Sequence, residues 1–184
     1  MTTDGVAPAP AVCYDSNIML LEGFTIEERQ TLAGITRVRA VPAGEVILHE
    51  GFFGDSIFLV AAGQVQVRKD IDDSHFKQLT VLGKDEFFGD FSFLGLAYRS
   101  ATVVALDDCE VWQISRVKFL QLIEARPLLG AKFYRNLARG LAARLRDANE
   151  ELRKAILWAM HNQQAAKAAG PADQANVQAF NIER

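Results

Sequence analysis

A chain of 184 residues accommodates one ordinary domain with an appendage and is too short for two full-sized domains. Hydrophobic residues at 49% and charged residues at 23% exclude a disordered chain, and no run approaches the roughly 20 apolar residues that span a bilayer. Twenty Lys and Arg against 23 Asp and Glu leave a net charge of −3, so no global field draws the chain to nucleic acid or anionic lipid.

Residues 1–20 read as a flexible leader, Ala/Pro/Thr-rich, with Asp4 where a secretion signal carries basic residues and with Pro8 and Pro10 breaking its apolar content. The two cysteines, Cys13 and Cys109, fit a reducing cytoplasm, since acidic neighbours disfavour a thiolate at Cys109. A short helix is expected from Thr25 to Leu32, because Thr25 and Glu28 have capping-box spacing. From Thr36 to Ser115 short apolar runs alternate with glycines. Val38 and Val41, Ile47, Ile57 and Leu59, Val65 and Val67, Leu79 and Val81, Val103, then Val111 and Ile114 are separated by Gly44, Gly51, Gly54, Gly63 and Gly83. That rhythm indicates an antiparallel, jelly-roll-like β-roll.

After Ser115 the period becomes helical. Val117, Leu120 and Ile123 mark a short helix that Arg126-Pro127 interrupts, because a residue before proline is driven out of helical angles. A long helix follows over residues 127–161, roughly 50 Å at 1.5 Å per residue, longer than one small roll covers. Its Ala138, Leu141, Leu145, Ala148, Leu152, Ala155 and Ala159 recur at spacings of three and four, a seam suited to a second copy of the chain. Residues 162–184 are Ala/Gln/Asn-rich around Gly170-Pro171 and read as a disordered tail. The architecture is therefore α+β: residues 21–126 form the roll with its flanking helices, and residues 127–161 a dimerisation helix.

The chemistry concentrates between Phe87 and Ala105. Gly89 permits close approach of backbone amides to an anion, a helix starting after it points its positive end the same way, and Arg99 can fork onto phosphate oxygens. Asp90 either accepts from a sugar hydroxyl or caps the following helix. Arg99 lies among Leu96, Ala97, Ala101, Val103 and Val104, so a buried guanidinium seeking an anion is the economical reading. Phe52, Phe53, Phe58, Phe87, Phe88, Phe91 and Phe93 are core by preference, and His49, His75 and His161 have no metal-ligand spacing. No nucleophile elbow, P-loop or dinucleotide fingerprint is present, so no catalytic residue and no metal is assigned.

Phe88-Gly89-Asp90 followed by Arg99-Ser100-Ala101-Thr102, inside a glycine-punctuated roll with a long helix behind it, resembles the cyclic nucleotide-binding domain, the cAMP and cGMP sensor of bacterial regulators, kinases and channels. The likeness runs from about Leu21 to Glu151. Its phosphate-binding cassette is written F-G-E-L-A-L-L, a variable run, then P-R-A-A-T-V; here Asp90 replaces the glutamate and Tyr98 the proline. The resemblance implies nucleotide binding by Phe88, Gly89, Asp90, Phe91, Ser92, Arg99, Ser100 and Ala101, with Arg99 on the cyclic phosphate and Asp90 on the ribose. It also implies contacts to the base from Arg144 and Asn149 of the long helix. The expected protein is a cytoplasmic, non-enzymatic sensor of cAMP or cGMP, homodimeric, acting on a downstream protein and binding neither nucleic acid nor membrane. A non-binding scaffold dimer, or a piece of a transcription regulator, remains the alternative.

Overall fold

The computed structural model describes residues 18–72, 75–96 and 98–168. Among these residues eight strands build two four-stranded antiparallel sheets. Strands β1 (Thr36–Val41), β8 (Cys109–Ser115), β3 (Ser56–Ala62) and β6 (Phe87–Phe88) lie side by side in one sheet. Strands β2 (Val46–Leu48), β7 (Thr102–Ala105), β4 (Val65–Asp70) and β5 (Phe76–Leu82) make the other. Every expected strand is present, and β6 is the addition: two residues pairing Phe88 with Phe58 and Phe87 with Leu59 are too short to show a period.

Side chains alternate where a sheet face meets water and run apolar where both faces are covered. Strand β3 is the second kind, buried from Ser56 through Ala61. Strand β5, the sheet edge, is exposed up to Val81 and carries Lys77, Gln78 and Thr80, polar residues that discourage edge-to-edge pairing. Between the sheets Val41, Phe58, Val60, Val65, Phe88 and Val111 anchor the core.

Helix α1 (Ile26–Ala33) starts on Thr25 with both halves of the capping box made: Thr25 Oγ1 accepts from the Glu28 amide (3.2 Å) and Glu28 accepts from the Thr25 amide (2.7 Å). Helix α2 (Arg116–Ala125) stops where Arg126 leaves helical angles (φ −136°, ψ 68°), and α3 begins on Pro127, whose missing N–H costs nothing at a first turn. Helix α3 runs to Ala168, beyond the expected end. Gln163, Ala165, Ala166 and Lys167 are good helix formers and nothing breaks the chain before Gly170. Residues 169–184, the rest of the expected tail, lie outside the described residues, as do residues 1–17 of the leader.

The expected leader is too long by three residues. Ile18 and Leu20 are fully buried in a turn of 3₁₀ helix at Met19–Leu21. The reason is polar as well as apolar: Asn136 of α3, itself fully buried, donates through Nδ2 to the Leu20 carbonyl (3.1 Å) and the Glu22 carbonyl (2.8 Å). Lys132 of α3 reinforces the join with an ion pair to Glu28 (2.7 Å), which holds that carboxyl below its ordinary pKa.

Residues through Ala138 form one unit and those from Arg139 another. The second unit contains the rest of α3, with Glu150 paired to Arg153 (2.7 Å) and Glu151 to Lys154 (2.8 Å) along its surface.

Replacing Asn136 by Leu deprives two carbonyls of their buried donor. Chemical denaturation of N136L is expected to show a loss of about 1–3 kcal/mol with an unchanged denaturant slope; a stability equal to that of the parent would exclude the staple.

A glycine-lined arginine cradle as the candidate ligand site

The segment after β6 is arranged around Arg99. Gly89 takes φ +80°, a left-handed turn that swings the chain into a short helical segment from Asp90, widening to π geometry over Ser92–Leu96 and ending where Gly95 reaches φ +114°. The Phe93 amide donates to the Gly89 carbonyl (3.2 Å) and sets the first turn. Phe93 then points into an aromatic cluster with Phe119 of α2 (centroids 5.4 Å apart) and Phe133 of α3 (5.8 Å), which themselves pack at 4.4 Å.

Arg99 enters from the strand-like bridge that pairs Tyr98 with Phe53. Its amide donates to the Phe52 carbonyl (2.8 Å), and its carbonyl accepts from the Gly51 amide (2.9 Å). The side chain is 8% exposed. Nη1 donates to the Ser56 carbonyl (2.7 Å) and to the Ser92 hydroxyl, with the Gly89 carbonyl a longer third acceptor at 3.4 Å. Phe58 lies beneath, its ring 5.6 Å from the guanidinium carbon and stacked on Phe88 at 5.1 Å.

Two glycines make room for this group. A Cβ on Gly54 would fall 2.5 Å from both Nε and Nη2 of Arg99, and one on Gly89 would fall 2.8 Å from Nη1. Gly54 has no left-handed φ, so its need for glycine is purely one of space.

The electrostatics follow from this geometry. Burial lowers the guanidinium's pKa and the negative charge of Asp55 opposes the shift, yet the intrinsic basicity of arginine keeps it charged. Asp55 spends its own oxygens elsewhere, accepting from Ser56 (2.9 Å) and Ser115 (3.2 Å) hydroxyls. Among the described residues, every hydrogen bond of the Arg99 side chain comes from Nη1; the Nε–Nη2 edge donates to no protein atom. A buried cation with one edge committed and the other edge open is suited to an oxyanion in bidentate geometry.

Of the expected site residues, Asp90, Ser92, Arg99 and Ala101 are buried, with Asp90 5% exposed, and Gly89 beside them is half-buried. Ser100 and Phe91 are exposed, Phe91 by 48%. Phe88 contributes a core side chain that floors the cradle. Arg144 and Asn149 lie on α3 in the second unit, half-buried and exposed respectively. Phe52 and Phe53 are 66% and 76% exposed rather than core, because their loop spends its backbone on holding Arg99. Sequence reasoning gave no role in the cradle to Ser56 or Phe58, and took Gly54 only for a turn glycine; the Gly-Asp-Ser run before an apolar strand was the available signal. No helix among the described residues is long and apolar enough to cross a membrane, and no acidic, His or Cys cluster there has metal-binding form.

Comparison with known proteins agrees with this fold. The cyclic nucleotide-binding domain family model matches residues 38–126. A crystal structure of a cyclic nucleotide-binding domain from Methylobacillus flagellatus is 30% identical, with a TM-score of 0.68 over 72% of this chain and 74% of that one. This chain belongs to the cyclic nucleotide-binding domain family. The cyclic AMP receptor protein of Thermus thermophilus is 35% identical over 133 residues, which are 72% of this chain and 60% of that protein. The crystal structure of the Thermus thermophilus catabolite activator protein superposes with a TM-score of 0.64 at 34% identity, covering 74% of this chain and 62% of that one. The chain thus spans about 60% of the length of these two relatives. The family is a regulatory, cyclic nucleotide-binding one.

If Gly54 is glycine only to clear Arg99, the two positions are thermodynamically coupled. G54A is expected to cost about 1–3 kcal/mol in the parent by overpacking and to cost little in an R99A background. A double-mutant cycle by thermal denaturation checks this, and additive effects would show that Gly54 serves some other purpose.

Proposed function

We propose that this chain is a sensor of a purine 3′,5′-cyclic nucleotide, cAMP or cGMP, that passes the binding event through α3 to a second copy and a downstream protein. The observation that carries the reading is the open Nε–Nη2 edge of the buried Arg99. A cyclic phosphate offers one negative charge on two exocyclic oxygens, which matches a two-hydrogen guanidinium edge in charge and width. The first amides of the turn after Gly89, with those of Ser100 and Ala101, surround the same anion, and Asp90 takes the ribose 2′-hydroxyl. Its carboxylate is one methylene shorter than the family's usual glutamate, so it serves a sugar seated close to the cassette. The name of the Thermus relative favours cAMP, and nothing in the cassette itself distinguishes adenine from guanine.

A ligand shifts a conformational equilibrium only through a difference in affinity for its two states. Here the cassette is tied to the helices by Phe93 against Phe119 and Phe133, so ordering the turn around an anion bears directly on the start of α3. Calorimetric titration with cAMP and cGMP in parallel is the test. At least one is expected to bind, and R99A should lose about a hundredfold in affinity. Absence of heat with both at high micromolar ligand sinks the sensor and favours a scaffold role.

Exposure along α3 supports the dimer. From Leu145 to Gln163 every residue of α3 is exposed, including Leu145 at 63% and Leu152 at 60% on the three-four seam. Pairing two such seams removes that apolar surface from water. Sedimentation velocity at tens of micromolar should give a dimer for the parent and a monomer for L152E; a monomeric parent would rule the seam out as a self-association surface.

A further inference from the structure

The geometry points to Ser92 as the residue that decides which edge of Arg99 a phosphate meets. Ser92 is 3% exposed, and its hydroxyl carries one hydrogen, donated to the Gly89 carbonyl at 3.1 Å. Toward Arg99 that hydroxyl therefore acts as an acceptor, receiving Nη1. Nη1 has two hydrogens. The Ser56 carbonyl takes one at 2.7 Å and Ser92 the other, leaving the Gly89 carbonyl as a long third contact.

A guanidinium is rigid and planar, so fixing both hydrogens of one nitrogen fixes the whole fork. The Ser56 carbonyl alone is a single point about which the plane can pivot; with Ser92 there are two points and the plane is set. Gly54 on one side and Phe58 beneath limit how far the fork can tilt, but neither selects its in-plane direction. The selection rests with Ser92, which makes it a positioning residue acting through Arg99 by its side chain. This role rests on the cyclic nucleotide reading above and adds a consequence to it: the fork addresses one particular exocyclic oxygen of the phosphate.

Diastereomeric phosphorothioates of cAMP report on that choice, because each replaces a different exocyclic oxygen with sulfur. Parent, S92A and S92T full chains are titrated with cAMP and with its Rp and Sp phosphorothioates, and their thermal melts recorded. The parent is expected to prefer one diastereomer strongly. S92A should bind cAMP about tenfold more weakly and lose most of that preference, while S92T, which keeps the hydroxyl, should restore both. An Rp/Sp ratio in S92A within twofold of the parent's overturns the role whatever happens to overall affinity, since a turn that is merely weakened penalises both diastereomers alike. The S92A ratio decides alone if S92T melts early from its added methyl. A parent that binds neither cAMP nor its analogues refutes the sensor reading itself, whereas a parent that binds with an S92A ratio unchanged refutes only the part assigned to Ser92.

Discussion

The charge of Arg99, a residue only 8% exposed, is the constraint around which this end of the roll is arranged. Burying such a group with incomplete pairing costs several kcal/mol by the usual magnitudes for removing one partner of a buried pair. The fold recovers part of that cost through carbonyls rather than carboxylates. Ser56 and Gly89 offer main-chain oxygens to Nη1, and Asp55 contributes its charge without a direct hydrogen bond. Carbonyl acceptors stabilise the cation without neutralising it. A directly bonded carboxylate would satisfy Arg99 more fully and would compete with any anionic ligand.

The cradle is also mechanically connected. The turn that carries Gly89, Asp90 and Ser92 continues into Phe93, and Phe93 is locked among rings from α2 and α3. Close-packed aromatic rings have little room to yield, so a displacement of the turn is passed on rather than absorbed. On the far side, Asn136 and Lys132 clasp the N-terminal turn and α1 to the first turns of α3. The first turns of α3, around Lys132, Phe133 and Asn136, are thereby joined to the turn after Gly89 by apolar packing and to the N-terminal segment by polar contacts.

Much of this was legible in the chain. The glycine rhythm located the turns between strands, Thr25 and Glu28 fixed the start of α1, and Arg126-Pro127 separated α2 from α3, because each is a local signal with a local cause. The tight glycine turn at Gly89 and the burial of Arg99 were legible for the same reason. What escaped depends on long-range geometry: β6 is two residues of pairing, Ile18 and Leu20 are buried by a partner 116 positions away in the case of Leu20, and the acceptors of Arg99 are main-chain oxygens that any residue carries. The exposed Phe52 and Phe53 misled for the opposite reason, since composition places phenylalanine inside and only the backbone duties of their loop hold them out.

Gly54 has an ordinary backbone conformation, so nothing in its own torsion angles restricts that position to glycine. The restriction is imposed across space, first of all by Arg99: the three atoms nearest a Cβ built there all belong to that side chain. Among relatives of this chain, the freedom of residue 54 to vary is therefore conditional on residue 99. Lineages that keep the arginine should keep the glycine, and lineages that abandon the arginine should accumulate larger residues at 54, so the pair records in sequence whether a given roll still has an anion to hold.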